Sequence, residues 1–202
     1  MNNEMMKKHF LIPVSQNNTK SLPGDLAMWV FIVMELTVFA IFFIAFAVAQ
    51  RVNENMFALG RESLDLSVGL FCTLFLIVSS YFVALSVKAI KSEDNLLAKR
   101  LLIYSLVLAS FYLILKLSEY SSLAEQGFDL SFNSFYTLYF LITGFHFMHV
   151  LMGMVILAYM GKQANKGKYS ANNCSGFEAG ASYWHMIDLL WVIIFFLVYV
   201  IH

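Results

Sequence analysis

The stretch LAMWVFIVMELTVFAIFFIAFAVA, residues 26–49, decides how the rest of the chain is read. It carries one ionisable side chain, Glu35, and a helix of this length rises about 36 Å, enough to cross a hydrocarbon core of about 30 Å. Its apolar residues run on without alternating, so the pattern predicts a spanning helix and excludes a barrel strand. Outward from it the same pattern recurs at 67–87, 101–118, 135–160 and 182–201. The 202-residue chain is 60% hydrophobic and only 13% charged, about half the charged share of an ordinary soluble domain. The expectation is therefore an all-α polytopic membrane protein, a bundle of five transmembrane helices over 26–202 behind a cytoplasmic tail, 1–25, with no separate soluble domain.

Charge placement predicts orientation, because Lys and Arg are held on the cytoplasmic side. The tail (Lys7, Lys8, Lys20), the second loop (Lys88, Lys91, Lys99, Arg100) and the fourth loop (Lys162, Lys166, Lys168) hold ten of them. The first loop holds Arg51 and Arg61, and the third loop carries Glu119, Glu125 and Asp129. This predicts the N-terminus inside and the C-terminus outside, with Lys116 snorkelling to the outer interface. Net charge is zero, so no global field draws nucleic acid. No cleavable signal peptide is read in the first 25 residues; Asp25 is expected to cap the first span, and Met5–Ile12 to belong to a disordered tail. Cys72 and Cys174 have neither metal-ligand spacing nor the placement of a disulfide pair.

Each ionisable group inside a span needs a partner or a purpose. Glu35 lies about 14 Å into its helix, on a face shared with Met28, Phe31, Phe39 and Phe42, so it is expected to point into packed protein. His146 and His149 stand at i and i+3, with Gly153 on the same face. That spacing admits a metal or haem site, but a metal needs a third ligand and a bis-histidine haem needs a facing histidine, so packing histidines are the simpler expectation. In the last span Trp184, Asp188 and Trp191 form one stripe, and His185 is placed to pair with Asp188. The plain reading is an interfacial aromatic anchor with a local ion pair. The chain shows neither a phosphate loop nor a nucleophile beside a base.

The run Gly176 to Trp191, GFEAGASYWHMIDLLW, closely resembles the last helix of subunit III of haem-copper respiratory oxidases. Gly144 to Gly153 (GFHFMHVLMG), Ser118-Glu119-Tyr120, and Glu35 with its following phenylalanines resemble further segments of that family in order and spacing. The likeness covers the chain from about Pro23 and matches the short five-helix form. Pro23 to Trp29 (PGDLAMW) is most similar to the nitric oxide reductase accessory branch, and Lys116 departs from the uncharged polar residue of the pattern.

The resemblance implies a non-catalytic subunit of a bacterial inner-membrane oxidase that stabilises subunit I and supports proton uptake. Haem and copper would reside in partner subunits I and II, with none in this chain, and phospholipid would be bound. It implies structural, proton- or lipid-related roles for Glu35, Glu119, His146, His149, Glu178, His185, Asp188 and Trp191. The alternative is an accessory protein for nitric oxide reductase subunits. Set against both are a stand-alone b-type cytochrome and a small transporter, for which paired broken helices are missing from the pattern.

Overall fold

A computed structural model describes residues 26–170 and 173–201. The tail expectations, including the Asp25 cap, the Met5–Ile12 segment and three of the ten cations, lie outside the described residues. Among the described residues six α-helices follow in order: α1 Leu26–Val52, α2 Glu54–Glu62, α3 Leu66–Lys91, α4 Asn95–Glu125, α5 Ser134–Asn165 and α6 Ser175–Phe195, with a π-helical turn over Phe196–Val200. Five of them are long and apolar enough to cross a membrane, as the hydropathy pattern predicts.

The helices overrun the expected spans because their ends carry polar residues that suit the headgroup region while the backbone ladder continues. Asp65 accepts the Ser67 N–H, Asp94 the Leu97 N–H and Asn133 the Tyr136 N–H, which starts α3, α4 and α5. At the far ends Gly127 (φ 81°) and Gly167 (φ 66°) take the left-handed conformation. The Phe128 N–H then reaches the Leu123 carbonyl (3.0 Å) and the Lys168 N–H that of Gln163 (3.2 Å). One consequence corrects the sequence reading: Glu119 is inside α4, six residues before its end, and not in a loop.

Helix α2 was not expected, since it is too short and polar to register as a span. Its anchor is Phe57, fully buried between the rings of Phe46 (5.1 Å) and Phe135 (5.4 Å). The long helices form a ring in which α1 packs on α5 and α6, α3 on α4 and α6, and α4 on α5, while α5 and α6 also meet. Small side chains bring α3 and α4 close, with the Ser79 and Ser105 hydroxyls 2.6 Å apart in the core. Gly153 does the same for α5 and α6: a Cβ there would stand 2.8 Å from Trp184 Cε3 and Ile187 Cδ1. The helix is what approaches the glycine. Helix α6 is the most enclosed span, whereas α1 turns Val30, Val33, Met34, Ile41, Ile44 and Val48 outward.

Candidate functional site

The bundle interior is lined by polar groups drawn from all five spans. Between α1 and α5, Glu35 Oε2 lies 2.9 Å from His149 Nε2. The other ring nitrogen, Nδ1, is 2.7 Å from the Phe145 carbonyl, which only accepts, so Nδ1 carries a proton. Glu35 and Nε2 then share one further proton: either the carboxyl donates to a neutral ring or an imidazolium donates to the carboxylate. Phe39 and Phe145 close over the imidazole at 5.4 and 5.3 Å between ring centres. Glu35 thus points into packed protein, as its face predicted, and both nitrogens of His149 are committed.

His146, one turn away, is completely buried within rings of Tyr112 (6.0 Å), Trp191 (5.2 Å) and Phe39 (6.4 Å). Neither of its nitrogens has a hydrogen-bond partner among the described residues, nor does the Tyr112 hydroxyl. Trp191 donates from Nε1 to Thr73 Oγ1 at 3.0 Å, tying α6 to α3. Among the described residues no three His, Cys, Asp or Glu side chains are grouped as metal ligands.

The strongest cluster was misread in the sequence. Lys116 does not snorkel; it is fully buried and donates to Glu119 Oε2 (2.6 Å), the Tyr139 hydroxyl (2.9 Å) and the Tyr199 hydroxyl (2.9 Å). Tyr199 in turn donates to Glu119, 2.8 and 2.9 Å from its two oxygens. The ammonium also stands 4.8 Å from the Tyr139 ring centre and 5.3 Å from that of Trp191. All three ammonium protons are used, which is what makes a buried cation tolerable. The π-helical turn carries Tyr199 into this cluster from the end of the last span, joining α4, α5 and that turn. No sequence signal marks the pairing beyond the i, i+3 spacing of Lys116 and Glu119.

The expected His185–Asp188 pair does not form. Ser80 of α3 takes His185 instead: its hydroxyl lies 2.6 Å from His185 Nδ1, while Asp188 Oδ1 has no hydrogen-bond partner among the described residues. Nor are the tryptophans interfacial anchors, since Trp184 and Trp191 are buried in the core. Glu178 pairs with Lys91 at 2.7 Å, linking the start of α6 to the end of α3. The eight candidate residues therefore divide: Glu35 with His149, Glu119 with Lys116, His185 with Ser80 and apart from Asp188, Glu178 at a charged end, and His146 and Trp191 in contact at the centre.

The profile of the cytochrome c oxidase subunit III family matches residues 16–202. The chain is 29% identical over 177 residues to cytochrome c oxidase subunit 3 of Thermostichus vulcanus, covering 87% of this chain and 86% of that one. It is 30% identical over 181 residues to cytochrome c oxidase subunit 3 of Synechocystis sp., covering 88% and 76%. Against the probable quinol oxidase subunit 3 of Staphylococcus saprophyticus it is 23% identical over 188 residues, covering 93% and 94%. The nitric oxide reductase reading of Pro23 to Trp29 draws no support from these relatives.

Proposed function

The chain belongs to the cytochrome c oxidase subunit III family, and from that premise we propose that it serves a haem-copper terminal oxidase as its non-catalytic third subunit, in a bacterial inner membrane. It stabilises the catalytic subunit and helps supply protons to it, while haem and copper are held by partner subunits I and II. The observation that carries this reading is the Glu35–His149 pair, a proton-sharing carboxylate and imidazole whose ring nitrogens are both engaged. Such a pair can hold and exchange a proton but offers no open ligand position to a metal.

The same premise orients the chain. Lys88, Lys91, Lys99, Arg100, Lys162, Lys166 and Lys168 gather at one end of the bundle, where Lys99 Nζ meets Asn165 Oδ1 (2.9 Å) and Lys91 meets Glu178. That end is cytoplasmic under the positive-inside rule, which sets the N-terminus inside and the C-terminus outside. Phospholipid covers the apolar faces that the bundle leaves open.

The deciding experiment is purification of the tagged chain from native membranes in mild detergent, with a visible spectrum and mass spectrometry of what accompanies it. Haem absorbance that travels with a co-purifying subunit I, and leaves when the complex is dissociated, is the expected result. Haem retained by the isolated chain, or a colourless chain that purifies alone, refutes the proposal.

A further inference from the structure

The membrane-facing surfaces of the five spans differ chemically. Most hydroxyls there are satisfied within their own helix: Thr37 donates to the Val33 carbonyl (2.8 Å), Ser110 to Leu106 (2.9 Å) and Ser121 to Leu117 (3.0 Å). Such groups can face acyl chains without an unmade hydrogen bond. The outward face of α5 carries Met148, Met152 and Val155 and is apolar.

The face between α3 and α6 is unlike these. Beyond its first turn helix α6 leaves a narrow stripe outside, half-buried Ser182 and exposed His185, Leu189 and Ile193. His185 is exposed there although it lies seven residues, about 10 Å, deeper than the Lys91–Glu178 pair at the charged end. Ser80 holds its Nδ1, and Nε2 has no partner among the described residues. On the outward side of α3 stands Tyr81, 60% exposed, its ring near that of Phe82. A groove of about 280 Å³ lies between the two helices, walled by Ala84, Ala181 and Ser182 and ending at Lys91 and Glu178.

We propose that this α3–α6 groove seats a transmembrane helix of the catalytic partner subunit, which sets a small residue against Ala84, Ala181 and Ser182 and a hydroxyl, amide or carboxylate against His185. The inference rests on the oxidase reading above and deepens it by naming the docking face. Acyl chains cannot satisfy an imidazole nitrogen at this depth, and a protein helix can. Small side chains on the walls let the two helix axes approach, and the interhelical hydrogen bond fixes rotation and depth.

The test places a photo-crosslinking amino acid at Leu189, at Tyr81 and, as a control on the far side, at Val155, in the assembled complex in its native membrane. Crosslinks to the haem-bearing subunit from Leu189 and Tyr81 but not from Val155 are expected. If that subunit co-purifies yet is reached only from Val155, or Leu189 and Tyr81 label lipid or a second copy of this chain, the groove assignment is wrong and the oxidase reading stands. If no haem-bearing subunit co-purifies, the oxidase reading fails and this inference with it. In parallel, His185→Leu should weaken retention of the partner about 3- to 15-fold in a detergent titration, while His185→Gln, which keeps an amide to bond, stays near wild type. Equal retention by the two variants contradicts the proposed contact.

Discussion

Replacing Lys116 with methionine, a side chain of similar length, removes the ammonium without opening a large cavity. Lys116 is fully buried, and the side chain of its partner Glu119 is 5% exposed, so the variant strands a carboxylate with only Tyr199 to bond it. Breaking a buried pair from one side costs about 3–5 kcal/mol, because the remaining charge has lost its counter-ion but not its desolvation. Removing both partners is different. In Lys116→Met with Glu119→Leu both charges are gone, so neither is left buried without its counter-ion. The double variant should therefore be at least about 2 kcal/mol more stable than the sum of the single losses predicts. The assay is SDS-driven unfolding of the purified chain in mixed micelles, followed by tryptophan fluorescence, since Trp191 stands beside the ammonium. A loss below about 1 kcal/mol for Lys116→Met, or additive losses in the double variant, would refute a mutually dependent buried pair.

Glu35→Ala and His149→Ala should leave the haem spectrum of the complex unchanged while each destabilises the chain by about 1–3 kcal/mol through the stranded partner; loss of haem from either contradicts the accessory role. Gly153→Leu should destabilise α5–α6 packing by about 1–3 kcal/mol or more, read in the same SDS titration, because even a Cβ there meets Trp184 and Ile187 at 2.8 Å. Hydrogen bonds from Ser131 hold the Asp129 carboxyl below its ordinary 3.8. A depressed folded value contributes order that is present above pH 3.8 and lost as pH falls through the lower value, so the protection of this loop's amides, measured as exchange relative to the intrinsic rate at each pH, should fall in acid below that point. Asp129→Asn should show a protection factor that no longer changes across that range.

The spans were legible because hydropathy is a property of contiguous residues: any 20 apolar residues in a row must leave water whatever surrounds them. The resemblance carried by GFEAGASYWHMIDLLW and GFHFMHVLMG was legible for a related reason, being a local string, and the family match over 16–202 bears it out. The inward face of Glu35 also followed from helical period. What joined to what did not. Glu35 meets a histidine 114 residues away and Lys116 a tyrosine 83 residues away, and no periodicity within one helix encodes the neighbour on another. The same gap explains the errors. Lys116 near a helix end looks free to snorkel until α5 and the final turn enclose it, and His185 beside Asp188 looks like a pair until α3 inserts Ser80. Which residues leave water was thus settled by the chain itself, one span at a time. Which of their polar groups find each other was decided only when the helices packed, because a buried charge takes its partner from whatever the neighbouring helix brings within about 3 Å.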